Sequence, residues 1–203
     1  MDAIELLKRD HRKVEDLFMR FRDGGGVSGA VKRLTGNAGS PRQHRTIAER
    51  ICKELETHAR IEETTFYPAI RALDDSRIRS LVDESLGEHA TIKERVQAVR
   101  AALGVENELG DRVADLEDCV THHVREEEGE LFPLVEDHMQ SAARNRLGQA
   151  LAARKRAASP RARKPARRPA PARGRRGRAT AARRHKTKTA ASSRKKARGG
   201  RRR

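Results

Sequence analysis

The stretch HARIEETTFYP, residues 58–68, is written a second time as HVREEEGELFP, residues 123–133. The copies align without a gap at an offset of 65, and His, Arg, Glu, Glu and Pro recur in register. In both, a glutamate follows a histidine by four residues, which puts the two side chains on one face of an α-helix, one turn apart. The flanks carry the same period. Ile47, Ile51 and Leu55 lead into His58, Glu62 and Phe66; Val113, Leu116 and Val120 lead into His123, Glu127, Leu131 and Leu134. Steps of three and four mark an apolar stripe that faces a core. The His and the Glu stand in that stripe, where an apolar side chain belongs.

Two further stripes have the same flaw. Ile4, Leu7, His11, Val14, Phe18 and Phe21 form one; Ile78, Val82, Ser85, His89, Ile92, Val96, Val99 and Leu103 form the other. Gly24, Gly25 and Gly26 stop the first helix. Ser40-Pro41-Arg42-Gln43 opens the second as a capping box with proline in the first turn. Asp74-Asp75-Ser76 and the segment Gly104–Gly110 separate the later helices. Pro68 and Pro133 are expected to end or kink theirs, because proline lacks the N–H and clashes one turn back. The spacing predicts an all-α fold, an up-down four-helix bundle over residues 1–139. Residues 140–156 read as a short Ala-rich connecting helix. The one long connection, Gly24 to Gly39, has no conformation that its residues dictate.

His58 and His89 lie 16 and 15 residues from Asp74 on either side, so antiparallel helices bring them to one height at ~1.5 Å per residue. His123 falls level by the same count from Asn107, and His11 can join them. An unpaired buried polar group costs about 1–3 kcal/mol, and a lone carboxylate costs more. Four imidazoles and two carboxylates in one layer therefore call for a cation. Imidazole with carboxylate suits Fe, Zn, Mn, Co or Ni. A tetrahedral zinc site needs about four ligands; six ligands, with two Glu free to bridge, suit two ions better. The candidate ligands are His11, His58, Glu62, His89, His123 and Glu127.

The set Asp10-His11, His58…Glu62…Tyr67-Pro68, Glu88-His89 and His123…Glu127…Phe132-Pro133 resembles the hemerythrin-like HHE cation-binding family over residues 1–139. The resemblance implies a non-haem di-iron centre, with iron ahead of zinc or manganese, terminal histidines and bridging carboxylates. It also implies chemistry with O₂, peroxide or nitric oxide, or sensing of iron and oxygen. Oxygen-carrying members have a fifth histidine one turn before the position of His89. Here that residue is Ser85, and Glu15, one turn after His11, is the candidate for a seventh ligand. Glu63 and Glu128 beside the ligands, and His122, read as supporting or surface residues, and the outward Arg60 and Arg125 as solvated surface. Tyr67 reads as packing, with redox or hydrogen bonding to a bound species as the second reading. His44, His138 and His185 belong to no pattern.

The rest of the chain is of another kind. Of 46 Lys and Arg, 23 fall in residues 151–203, which contain no Asp or Glu; the remaining 23 face all 29 acidic residues in 1–150. The first part is therefore −6 and the last +23, and the sequence pI of about 11.0 belongs to the tail. Residues 157–203 lack the apolar surface to offset the entropy of ordering, which predicts a disordered tail. Its Ala/Pro/Lys/Arg composition resembles the tails of linker histones and bacterial histone-like proteins. A flexible polycation binds DNA or RNA by releasing counterions, and without aromatic residues it has little base preference. No apolar run approaches a membrane span. MDAIELLKRDH carries no signal-peptide core, and Cys52 and Cys119 form no motif, so a cytoplasmic location, with association to the nucleoid, is the expectation. The leading function is an O₂-, peroxide- or nitric oxide-reactive di-iron protein held on nucleic acid. A nucleoid-associated or regulatory DNA-binding protein that senses iron or oxygen, and an iron store or buffer, are the alternatives.

Overall fold

The computed structural model describes residues 1–24 and 40–158. Of the expected tail 157–203, Ala157 and Ala158 are helical and end the last helix, and the rest, with the connection 25–39, lies outside the described residues. Helix α1 runs Ala3–Arg22, α2 Pro41–Ile61, α3 Tyr67–Arg71, α4 Ser76–Ala102, α5 Glu106–Glu126, α6 Phe132–His138 and α7 Ser141–Ala158. One π turn, Glu62–Phe66, joins α2 to α3, and another, Glu127–Leu131, joins α5 to α6. The regular structure of the described residues is all helical, with no strand. They form a bundle in which α1 packs on α2, α2 on α4, α4 on α5 and α5 on α1, while α7 lies against α1, α2 and the first π turn.

The helix starts follow from local chemistry. Asp2 caps α1 by accepting from Ile4 N at 2.9 Å. Ser40 and Gln43 make the reciprocal capping box, with Ser40 N donating to Gln43 Oε1 at 2.9 Å and Gln43 N to Ser40 Oγ at 3.3 Å. Asp75 caps α4 through Ile78 N at 2.9 Å. Gly24, with φ 76°, takes the left-handed conformation past the end of α1, which costs glycine nothing.

Two boundaries differ from the sequence reading. The break between α4 and α5 is shorter than Gly104–Gly110: α5 begins at Glu106, and Gly110 lies inside it. Leu109 explains this, since it is buried in the core and holds the first turn of α5 in place. The prolines end neither helix. The chain stays helical from Pro41 to Arg71 and from Glu106 to His138. A π turn precedes each ring, closed by Tyr67 N–H to Glu62 O and by Phe132 N–H to Glu127 O. The wider turn takes up the backbone conflict that proline creates with the carbonyl one turn back.

The core is two apolar slabs. Val14, Phe18, Ile51, Leu55, Ile92, Val96, Leu116 and Val120 belong to one; Ile4, Leu7, Phe66, Ile70, Ile78, Val82, Leu131 and Phe132 belong to the other. The buried polar residues Asp10, His11, His58, Glu62, Ser85, His89, His123 and Glu127 fall between the slabs along all four long stretches of sequence. Cys52 is buried in the first slab and Cys119 packs against it, both as free thiols.

Candidate metal centre

Four helices deliver one imidazole each to the polar layer, and each Nε2 points inward. His11 Nε2 lies 3.1 Å from His58 Nε2, and His89 Nε2 lies 3.2 Å from His123 Nε2. The two glutamates span these pairs. Glu62 Oε2 stands 3.0 Å from His58 Nε2 and 3.4 Å from His89 Nε2. Glu127 Oε2 stands 3.3 Å from His11 Nε2 and 3.6 Å from His123 Nε2. The six sequence-derived candidates thus converge, as two overlapping groups whose donor atoms lie within 4.8 Å of one another.

Behind the imidazoles stands a second set of carboxylates. His11 Nδ1 donates to Glu128 Oε1 at 2.7 Å, His89 Nδ1 to Glu63 Oε1 at 3.0 Å, and His123 Nδ1 to Glu88 Oε2 at 2.8 Å. His58 Nδ1 faces Asp10 Oδ2 at 3.9 Å. A proton fixed on Nδ1 leaves the Nε2 lone pair free for a cation and strengthens it as a donor. The arrangement is pseudo-two-fold. α1 with α2 and the first π turn supplies Asp10, His11, His58, Glu62 and Glu63; α4 with α5 and the second π turn supplies Glu88, His89, His123, Glu127 and Glu128. Sequence reasoning reads Glu63 and Glu128 as supporting or surface residues and gives Asp10 and Glu88 no role of their own. The signal is their adjacency: in Glu88-His89 the acid accepts from the histidine of the next helix, and in Asp10-His11 it faces that histidine at 3.9 Å.

Other candidates part company here. Glu15 is exposed on the outer face of α1 and does not reach the layer, so the geometry removes it as a seventh ligand: its position places it beside Phe18, Met19 and Arg22. Ser85 is buried, but its hydroxyl donates to Leu81 O at 2.9 Å. Tyr67 is more than packing. It is 1% exposed, its hydroxyl donates to Glu127 Oε1 at 2.8 Å, and it lies 3.4 Å from His89 Nε2. His122 is outside the layer, 3.4 Å from Glu88 and 3.1 Å from Glu126. Arg60 and Arg125 are exposed. His44 packs on Phe21, His138 lies near Asp75, and His185 is outside the described residues.

Burial and mutual charge set the protonation. Burial and then the charge of Glu127 push Glu62 up to about 7. Burial acts on Glu127 too, but His123 and His11 outweigh it and hold that carboxyl at about 2. Burial opposes a charged His11, yet the Glu127 and Glu128 carboxylates beside it lift its pKa to about 10. Burial lowers His89. Tyr67 is pushed well above its ordinary value, first by burial and then by Glu62 and Glu127, so it keeps its proton and remains a donor.

The residues fit a cation on an observation internal to the layer. Glu62 Oε1, Glu62 Oε2 and Glu127 Oε2 are buried without any hydrogen-bond partner, a costly state for carboxylate oxygens unless a positive charge meets them. The donor chemistry, imidazole and carboxylate, suits a divalent first-row metal. Around it the space is small: a cavity of about 10 Å³ is lined by the four histidines with Val14, Leu55, Ala59, Ile92, Val120 and Val124, room for about one water.

Compared with protein families, residues 2–135 match the hemerythrin HHE cation binding domain. The chain belongs to that family. A hemerythrin domain accounts for the repeated His…Glu pair, for the helical bundle and for the polar layer inside it. A curated protein of Nostoc sp. (strain PCC 7120 / SAG 25.82 / UTEX 2576), named DNA nickase, is 27% identical over 142 residues. That match takes in 70% of this chain and 35% of the relative, so the hemerythrin-family chain spans about a third of the relative's length. No solved structure matches the chain. Among the described residues no helix is long and apolar enough to cross a membrane.

Proposed function

We propose that the hemerythrin domain holds two iron ions and reacts with a diatomic or peroxidic ligand, and that the basic tail keeps it on nucleic acid. The observation that carries the metal reading is the set of orphaned Glu62 and Glu127 oxygens between two pairs of inward Nε2 atoms. Terminal histidines His11, His58, His89 and His123, with Glu62 and Glu127 between them, would hold the ions. Iron so held supplies one-electron and two-electron chemistry toward O₂, peroxide or nitric oxide. The rest is the work of this chain. Val14, Leu55, Ile92, Val120 and Val124 beside the histidines exclude bulk water, and the space there limits the ligand to a few atoms. Tyr67 holds a proton 2.8 Å from Glu127 Oε1, where it orients that carboxylate.

The tail reading rests on charge. Residues 151–203 carry 23 basic and no acidic side chains, and such a polycation gains affinity for a polyanion by counterion release. The name of the Nostoc relative, DNA nickase, favours nucleic acid over other polyanions. It also favours a second reading, in which the protein cuts a strand. One set of measurements separates these: iron per chain, absorption before and after O₂ and peroxide, duplex DNA binding, and relaxation of supercoiled plasmid. Two irons per chain, a new charge-transfer band and salt-sensitive DNA binding support the proposal. Fewer than one iron per chain with no spectral change refutes the metal part, and absence of DNA binding at low salt refutes the tail part. Plasmid relaxation that requires the bound metal establishes the second reading.

A further inference from the structure

The pseudo-two-fold pattern breaks at Asp10. Its counterpart Glu88 accepts from His123 Nδ1 at 2.8 Å, and Glu63 and Glu128 hold their histidines at 3.0 and 2.7 Å. Asp10 Oδ2 is 3.9 Å from His58 Nδ1, and both atoms are buried without a hydrogen-bond partner. The other Asp10 oxygen, Oδ1, accepts from Lys155 Nζ. Lys155 comes from α7, which begins after the end of the family match at residue 135. That helix is fixed along its length. Arg144 Nε donates to Asp2 Oδ2 at 2.8 Å near its start. Leu151 is fully buried. Gly148 lies so close to the N-terminal backbone that an added Cβ would sit 2.9 Å from Ala3 N. The ammonium therefore reaches Asp10 from a docked helix and not from a free surface.

We propose that Lys155 is a positioning residue for the metal centre: it draws Asp10 off His58 and so weakens the centre's hold on its cations. An imidazole whose Nδ1–H is bound by a carboxylate is the stronger donor, and loss of such a partner costs about 10–100-fold in metal affinity. Three of the four histidines have that bond. His58 lacks it, and its intended acceptor has its charge met by an ammonium instead. Freed of Lys155, Asp10 needs a shift of roughly 1 Å to come within hydrogen-bond range of His58 Nδ1. The helix that leads into the basic tail thereby acts on one ligand of the centre. The inference rests on the two-metal reading and on no partner of the tail.

The test uses the full-length protein loaded with cobalt(II) alone, without nucleic acid or oxidant. Visible absorption reports the ligand field, and capture by a chelator reports the rate of metal loss. Lys155→Met and Lys155→Gln are expected to slow that loss about tenfold and to shift the cobalt bands, while Lys155→Arg keeps the wild-type rate. In an Asp10→Asn background the Lys155→Met effect should vanish, since the two residues act through one contact. Unchanged or faster loss in Lys155→Met and Lys155→Gln overturns the inference. So does an equal Lys155→Met effect with and without Asp10. Wild-type protein that takes up no cobalt overturns the two-metal reading and this inference with it. Wild-type protein that binds cobalt but is indifferent to Lys155 overturns this inference alone.

Discussion

Removing a candidate ligand should stabilise the metal-free protein. Glu62 is fully buried, neither of its oxygens has a partner, and its pKa is raised from 4.5 to about 7. A carboxyl raised in the folded state destabilises the fold once pH exceeds its unfolded value, and the penalty is complete above the folded value. A shift from 4.5 to about 7 corresponds to about 3 kcal/mol at ~1.4 kcal/mol per unit. Glu62→Gln keeps the shape and removes the charge. It also removes an attraction felt by His11, which trims the gain to about 2–3 kcal/mol. Urea denaturation of chelator-treated protein should therefore show Glu62→Gln more stable than wild type at pH 8 and equal to it near pH 4.5. Added metal should reverse the order, because binding to the folded state alone stabilises it by mass action and the variant has lost a ligand. A metal-free Glu62→Gln protein no more stable than wild type at pH 8 would refute the reasoning, and with it the view of Glu62 as an uncompensated charge awaiting a cation.

Other expectations follow from single contacts. Tyr67→Phe leaves Glu127 Oε1 without its 2.8 Å donor; the metal-free protein should lose about 1–3 kcal/mol in denaturant, and the loaded protein should show an altered absorption spectrum. Gly148→Ala forces a Cβ against the backbone of residues 1–3, so about 1–3 kcal/mol should be lost, with amide exchange rising in α7 before the rest of the bundle. Asp75→Ala removes the cap of α4 at about 1 kcal/mol, read as a shift in the denaturation midpoint. In metal-free protein, His11 with its pKa raised to about 10 contributes stability that is present below pH 6.5 and is lost as pH rises through 10; the denaturation midpoint should fall across that window.

The helices and the six inward residues were legible because both depend on one local rule, the three-and-four step, and on polar residues that violate it. The capping box at Ser40 and the stop at Gly24 were legible for the same reason: their partners are near in sequence. The π turns were missed, although the sequence marks them. His58, Glu62, Phe66 and Ile70 advance by four three times, as do His123, Glu127, Leu131 and Val135. In an α-helix each such step drifts about 40°, and a π turn removes the drift. Proline at 68 and 133 points to an ending or a kink, and the widened turn before each lets the helix continue. Packing comes before hydrogen bonding in a sequence reading of Tyr67, because the hydroxyl's partner is Glu127, sixty residues away. The backing acids had a local clue in Asp10-His11 and Glu88-His89, but which imidazole each one serves depends on how the helices pack. Lys155 reaching Asp10 across 145 residues left no trace in the sequence pattern.

The crossed carboxylates bear on what holds the imidazoles in place. α1 with α2 brings two imidazoles and Glu62, yet His11 takes its Nδ1 acceptor, Glu128, from the opposite half. α4 with α5 brings the other two, and His89 likewise depends on Glu63 from across the interface. Each half alone keeps two imidazoles and one glutamate of the layer, but one of its histidines loses the carboxylate that holds its Nδ1 proton. An opening that separates the halves breaks both crossed hydrogen bonds together, so the orientation of the imidazoles is a property of the closed bundle and of neither helix pair.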